Sequence, residues 1–163
     1  MPTASYQTRR DEIETYFDRT AADAWATLTS DAPVSRIRRT VRRGRDAMRE
    51  TLLSWLPEDL SGSTLIDAGC GTGTLAIEAA QRGAKVVAVD LSPTLVNLAR
   101  ERLRDLEDDL DVTFLVGDMR DMDLGRFDYA VAMDSIIHYD VSDGVQTLDA
   151  IAGQINCKMV FTF

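Results

Sequence analysis

The stretch LIDAGCGTGTLAIEAAQRGAKVVAVD, Leu65 to Asp90, decides how the rest of the chain is read. It opens with a short apolar, β-branched run, enters a loop with glycine at every second position, continues with a helical pattern that stops at Gly83, and ends in a second apolar run closed by an acid. Strand, glycine turn, helix and strand in this order make a βαβ unit. The turn at its first strand end is where such units hold an adenosine-bearing ligand.

The same alternation continues on the C-terminal side. SPTLVNLARERLRDLEDD reads as a helix with Ser92 as N-cap and Pro93 at its first position. DVTFLVGD is a third strand, RFDYAVAMD a fourth, GVQTLDAIAGQI a helix and CKMVFTF a fifth strand. Continuous apolar strands separated by helices predict an α/β, doubly wound, mostly parallel sheet covered on both faces. The acidic run from Asp105 to Asp111 ends a helix in solvent.

On the N-terminal side the pattern is helical. Ile13, Tyr16, Phe17, Ala21, Ala24, Trp25 and Leu28 recur at threes and fours and predict an amphipathic helix over 9–28. After SDAP a second helix starts near Val34, with an apolar stripe of Ile37, Val41, Met48, Leu52 and Trp55 or Leu56, and ends at Pro57. Its other face carries Arg36, Arg38, Arg39, Arg42, Arg43, Arg45 and Arg49, which reads either as a solvated face or as a rim that attracts carboxylates or acidic lipid headgroups. The expected division is a helical arm or cap over 1–60 and a Rossmann-like domain over 61–163.

Composition bounds the function. A chain of 163 residues, 45% hydrophobic, buries one core. A net charge of −9 and a pI near 4.5 argue against a nucleic-acid partner. Two cysteines, Cys70 and Cys157, make neither a disulfide framework nor a metal site. No secretory signal or membrane-spanning run is legible, so a reducing cytoplasm is the simplest home, with peripheral contact at a membrane surface still compatible.

Three ligands compete for the glycine loop. A dinucleotide fingerprint, counted from Gly69, has Thr74 where glycine or alanine belongs, and no lysine follows the loop as a triphosphate loop requires. Asp67 stands two residues before Gly69, where a carboxylate would repel a pyrophosphate but attract a cationic amino group. Asp90 closes the second strand about 20 residues on, the position of a ribose-binding acid. Asp118 ends the third strand, where it can accept from an adenine amino group. An ammonium, a ribose diol and an adenine together describe S-adenosylmethionine. Cys70 in the loop reads as a small lining residue or as a reactive thiol.

With these motifs the chain resembles the class I S-adenosylmethionine-dependent methyltransferases: LIDAGCGTGTL as the first motif, VAVDLS, GDM, and FDYAVAMDSIIHY as the fourth strand. The resemblance implies a cofactor site of Asp67, Gly69, Cys70, Gly71, Gly73, Asp90, Leu91, Asp118, Met119 and Met133. The fourth strand lacks an Asn-Pro-Pro-aromatic signature, which leaves small-molecule acceptors, a quinone precursor or an amine among them.

Along nearly its whole length the chain further resembles the magnesium-protoporphyrin O-methyltransferases of (bacterio)chlorophyll synthesis, through YF and Trp25 near the start, the GR of the arginine helix and D-S-I-I-H-Y after the fourth strand. This implies methyl transfer to one propionate of magnesium-protoporphyrin IX, an arm carrying Tyr16, Phe17 and Trp25 that closes over the site, and catalytic roles for His138 and Tyr16. It also implies a magnesium-chelatase subunit as a partner and no resident metal. Members from oxygenic phototrophs carry Tyr where this chain has Thr29. The family's pattern continues beyond CKMVFTF, so a C-terminally truncated chain with weak turnover is expected; a non-catalytic cofactor- or porphyrin-binding fragment is the other reading.

Overall fold

The computed structural model describes residues 4–106, 108–121 and 123–163. Five parallel strands form one sheet: β1 (Thr64–Ala68), β2 (Lys85–Asp90), β3 (Val112–Val116), β4 (Phe127–Ala132) and β5 (Ile155–Phe161), in the order β3-β2-β1-β4-β5. The crossover helices are α4 (Thr74–Gln81), α5 (Pro93–Arg104) and α6 (Val141–Ala152). A parallel sheet of this order reverses direction beside β1, and the crevice outside the carboxyl ends of β1 and β4 is its ligand position.

Successive strand residues point to opposite faces, and both faces are covered. Leu65, Val86, Ala88 and Val131 pack with Leu52, Leu53, Ala76, Ala79, Val96 and Ala99 on one side. Ile66, Ala68, Ala130 and Ala132 pack with Phe127, Ile136 and Ile151 on the other. Helix α5 starts as its sequence predicts, with Ser92 Oγ accepting from the Leu95 N–H at 3.2 Å and Pro93 in the first turn. At Gly73 the backbone is left-handed (φ 81°), and the helix that follows sits so close to α5 and β3 that a Cβ there would lie 2.7 Å from Phe114 Cζ and 2.9 Å from Ala99 Cβ.

The N-terminal segment differs from the single helix expected over 9–28. It consists of α1 (Ala4–Thr15), a π-turn (Tyr16–Thr20) and α2 (Ala22–Leu28). The Ala21 N–H reaches back five residues to the Tyr16 carbonyl at 2.8 Å, so one extra residue enters the turn and changes the direction of the chain. That extra residue lets Asp18 reach α5, where its Oδ1 accepts from Ser92 Oγ (3.0 Å) and the Thr94 N–H (2.9 Å) and pins the arm to the start of that helix.

Helix α3 (Arg36–Ser54) starts at Ser35, whose side chain caps the Arg38 N–H. Its apolar stripe is buried only in the C-terminal half. Leu52 and Leu53 are buried, whereas Ile37 and Val41 are exposed, as is Trp55 just past the helix. The apolar residues of its first half, Ile37 and Val41, therefore add nothing to the core. The arginine face splits accordingly: Arg42 donates to the carbonyls of Leu28, Thr27 and Ala32, Arg45 and Arg49 turn inward at the same three-and-four spacing, and Arg36, Arg38, Arg39 and Arg43 stay in solvent.

Replacing Gly73 by Ala forces a left-handed alanine into a wall of ring and methyl carbons. The expected cost is about 2–3 kcal/mol in a denaturant titration, and a transition midpoint equal to that of the parent chain would show that the turn repacks freely.

Candidate active site

A cleft of about 890 Å³, its open mouth included, lies at the switch point, within the usual size of a small-ligand site. Four strand ends contribute to its floor: Asp67, Gly69, Cys70 and Gly71 after β1, Asp90 and Leu91 at β2, Gly117 and Met119 after β3, and Met133, Asp134 and Ser135 after β4. Gly69 has to be glycine, since its backbone is left-handed (φ 82°) and a Cβ would sit 2.3 Å from that of Ser135. The Ser135 hydroxyl donates to the Ala68 carbonyl at 2.8 Å, so the ends of β1 and β4 are bolted to each other.

Asp67 is 1% exposed, and its Oδ2 has no hydrogen-bond partner among the described residues. Burial pushes its pKa up to about 7, the nearby Asp90 adds to the rise, and a backbone hydrogen bond from Ala76 opposes it. A buried carboxylate with one idle oxygen facing a cleft is a receptor for a donor, best a cationic one. Asp90 accepts from the Gly71 N–H (2.8 Å) and the Ser92 N–H (3.0 Å), and burial raises its pKa against those donors. It thus ties the tip of the glycine loop to the end of β2. Cys70 lines the cleft as a thiol whose pKa burial raises, with Asp90 and Asp67 adding to it, so the reactive-thiolate reading loses its physical basis.

The arm closes the cleft from above. Ile13 and Phe17, four residues apart, line it together with Trp25 and Thr29. Trp25 Nε1 lies 3.3 Å from the position a Cβ would take on Gly71. Phe17 meets Trp25 edge-on (5.7 Å between centroids) and His138 likewise (5.1 Å). His138, in the short 3-10 turn Ile136–His138, is half-buried. Burial lowers its pKa, a hydrogen bond to the Asp134 backbone opposes this, and its own carbonyl accepts from Arg9 Nε at 2.7 Å. Thr29 Oγ1 accepts from Thr72 Oγ1 (2.9 Å) and Arg102 Nη1 (3.0 Å), so this position joins α2 to the glycine loop and α5.

Three expected site residues lie elsewhere. Tyr16 is 54% exposed and touches Phe17 edge-on, outside the cleft. It precedes Phe17 by one position and so points about 100° away around the helix axis. Gly73 does not line the cleft either; it serves the packing of α4 on α5. Asp118 is not among the residues that line the cleft, and its Oδ2 has no hydrogen-bond partner among the described residues. Its Oδ1 accepts from the buried Tyr6 hydroxyl at 2.8 Å and from the Arg120 N–H at 3.0 Å, while Gly117 and Met119 present the surface there. Tyr6 stacks on Tyr139 (5.2 Å, 10° between planes) beneath Arg120, and burial raises both phenol pKa values, that of Tyr139 to about 12. The sequence reading left out Tyr6, and it named Arg45 only as one of the arginines of a rim that could attract carboxylates. Tyr6 falls outside the apolar periodicity from which the arm was read, and Arg45 is one arginine in a run of seven.

Among the described residues no cluster of three or more His, Cys, Asp or Glu could hold a metal ion, and no helix is long and apolar enough to cross a membrane.

A methyltransferase-domain family model matches residues 65–155. The magnesium-protoporphyrin O-methyltransferase of Rhodobacter capsulatus is 51% identical over 99% of this chain and 72% of its own length. The crystal structure of magnesium protoporphyrin IX methyltransferase from Synechocystis PCC 6803 with bound SAM superposes with a TM-score of 0.89 at 26% identity, over 95% of this chain and 76% of that one. A ubiquinone biosynthesis O-methyltransferase of Xanthomonas oryzae pv. oryzae is 39% identical, but over 49% of this chain and 34% of its own length. The last resemblance is confined to part of the chain, whereas those to the Rhodobacter and Synechocystis proteins run through the helical arm as well as the sheet. By its sequence, its sheet order and this arm, the chain belongs to the methyltransferase-domain family and, within it, to the magnesium-protoporphyrin O-methyltransferases.

Proposed function

We propose that this chain transfers the methyl group of S-adenosylmethionine to a propionate carboxylate of magnesium-protoporphyrin IX, giving the monomethyl ester. The observation that carries the cofactor half is the idle Oδ2 of the buried Asp67, in one cleft with Asp90 and three turns of glycine-rich or strand-end backbone. The acceptor half rests on the family, whose relationship includes the arm that covers the cleft.

Asp67 receives the amino group of the cofactor, directly or through water, and a cation there offsets the cost of keeping that carboxylate ionised. Asp90 accepts from the ribose hydroxyls, and Leu91, Met119 and Met133 enclose the nucleoside. Gly69, Cys70 and Gly71 let it lie close to the backbone. Gly73 acts one step back, by seating α4, and Asp118 by holding the turn that presents Met119. We take residues 1–60 as the helical arm or cap and 61–163 as the cofactor domain, with Leu52 and Leu53 at the end of α3 joining the two through the sheet core.

When bound, the cofactor supplies an electrophilic methyl on a positively charged sulfur. An ionised propionate oxygen needs no general base: the O–C bond forms as the S–C bond breaks, and the electron pair left on sulfur cancels its charge. The chain therefore has to align the two groups and keep water out. In this reading His138, which Phe17 meets edge-on and whose carbonyl accepts from Arg9, hydrogen-bonds the carboxylate. Phe17 and Trp25 close over it, and Tyr16 contributes from outside by bracing Phe17. Arg36, Arg38, Arg39 and Arg43, with the exposed Ile37 and Val41, support contact with an acidic membrane surface. Delivery of the porphyrin by a magnesium-chelatase subunit rests on the family resemblance alone.

Incubation with methyl-labelled S-adenosylmethionine and magnesium-protoporphyrin IX should place label in the porphyrin ester. His138→Ala should lower the rate at least about tenfold through lost alignment, with His138→Asn less affected. Because the His138 pKa is lowered and the acceptor is already ionised, the rate at saturating cofactor should stay flat from about pH 7 to 9. A steep rise in that range would point to a base and to a different acceptor.

Asp67→Asn has two expected effects of opposite sign. The pKa of Asp67 is raised in the folded state, so the folded chain binds the extra proton and stability falls as pH rises from the unfolded value near 4 to about 7. Above pH 7 the whole penalty is present, and the Asn variant should melt at least about 3 °C higher than the parent chain at pH 8. The same variant should bind S-adenosylhomocysteine at least about tenfold more weakly. Unchanged affinity would remove Asp67 from the cofactor site.

A further inference from the structure

Arg45 and Asp134 form an ion pair at the rim of the same cleft, with their side chains 19% and 18% exposed. Neither side of the pair is ordinary. The Arg45 guanidinium lies 4.3 Å from the centroid of the Trp25 ring, and burial lowers its pKa. It has five N–H donors, of which Asp134 engages Nη1, and no other acceptor among the described residues bonds it. Asp134 is the one described non-glycine residue with positive φ (54°). Its backbone is fixed by the N–H, which donates to Thr162 Oγ1 at 2.7 Å, so the carboxylate is held in the cleft at a conformational cost. Strain of this kind persists at ligand sites and has no evident use in a bystander ion pair.

We propose that Arg45 is the receptor for a ligand carboxylate and that Asp134 is its internal stand-in, occupying the guanidinium until the ligand displaces it. The inference deepens the function proposed above and rests on it. Both molecules in that reaction bring a carboxylate: the amino-acid end of the cofactor and the propionate of the acceptor. A guanidinium backed by an aromatic face and presenting free donors into a cleft suits either one. Exchange of one carboxylate for another leaves no stage at which the desolvated guanidinium stands unpaired, which is the expensive state for such a group. Trp25 makes Arg45 part of the arm's closure as well. The contacts run from Arg45 through Trp25 and Phe17 to His138, so the carboxylate receptor and the acceptor-side histidine are held by one continuous stack.

The test uses the whole chain and two nucleosides, S-adenosylhomocysteine and 5′-methylthioadenosine, the second lacking the amino-acid end. Their affinities are measured by titration calorimetry for the parent, Arg45→Gln, Arg45→Lys and Asp134→Asn, beside the KM for magnesium-protoporphyrin IX. Asn tolerates the left-handed backbone, so the last variant removes the charge alone. If the cofactor supplies the carboxylate, Arg45→Gln weakens S-adenosylhomocysteine at least tenfold and leaves methylthioadenosine within twofold. Asp134→Asn then tightens the former about threefold or more. If the acceptor supplies it, both nucleosides stay within twofold in every variant, and the porphyrin KM rises tenfold in Arg45→Gln and falls in Asp134→Asn. In either case Arg45→Lys, which keeps the charge and the helix, lies between the parent and Arg45→Gln.

Equal weakening of both nucleosides, no change in any constant, or an Asp134→Asn variant impaired like Arg45→Gln would overturn the inference, because a structural ion pair loses function from either side. A parent chain that binds neither nucleoside would instead overturn the cofactor reading on which the inference stands.

Discussion

Asp67 is a carboxylate buried at the end of the first strand with one oxygen left idle, and the cleft is arranged around that cost. A charge in such a place is tolerated only where the backbone around it cannot relax to expel it. Here the ends of β1 and β4 are bolted together by Ser135 on Ala68, the loop tip is tied back by Asp90, and α4 is locked against α5 through Gly73. Each restraint holds the glycine turn open toward the cleft. An apolar residue in place of Asp67 would pack that space and leave the loop with nothing to receive.

Around this centre the arm makes polar contacts where apolar packing alone would be expected. Asp18 caps α5, Tyr6 donates to Asp118, Arg9 donates to the His138 carbonyl, and Arg102 and Thr72 meet at Thr29. Such contacts fix orientation at modest net energy, because each exchanges a hydrogen bond with water for one within the protein. An arm held this way can be well placed over the cleft and still open when a ligand has to pass. The match to the Rhodobacter relative spans 72% of that protein's length.

The strands and the glycine loop were legible because their signals are local: β-branched apolar runs, a capped Ser-Pro helix start, and acids at fixed distances from the glycines. The same locality explains what was not. One extra residue in the turn at Tyr16 redirects the arm, and helical periodicity does not register an insertion of that kind. It put Tyr16 outside and Phe17 inside, although both lie on the apolar side of the pattern. Asp118 stands at the expected strand end, yet the residue that takes its oxygen, Tyr6, is 112 positions away in the chain, and no spacing rule connects them. The arginine run shows the limit most plainly. Seven like residues look equivalent in sequence, and only the three-and-four spacing of 42, 45 and 49 against the body of the fold separates the inward ones from those in solvent.

That separation along the chain also bears on how the protein comes into being. The arm precedes its partners in the chain by a long way: Asp118 lies 112 residues after Tyr6, and the carbonyl that Arg9 binds lies 129 residues on. Domains built during synthesis fold as their contacts become available, and contacts of high sequence separation form late. Until the turn after the fourth strand is made, Phe17 lacks the His138 ring it meets in the folded chain, although Trp25 and Asp18 can already engage Gly71 and Ser92. With Arg36, Arg38, Arg39 and Arg43 exposed on the helix that follows, like charge opposes the close approach of two such segments.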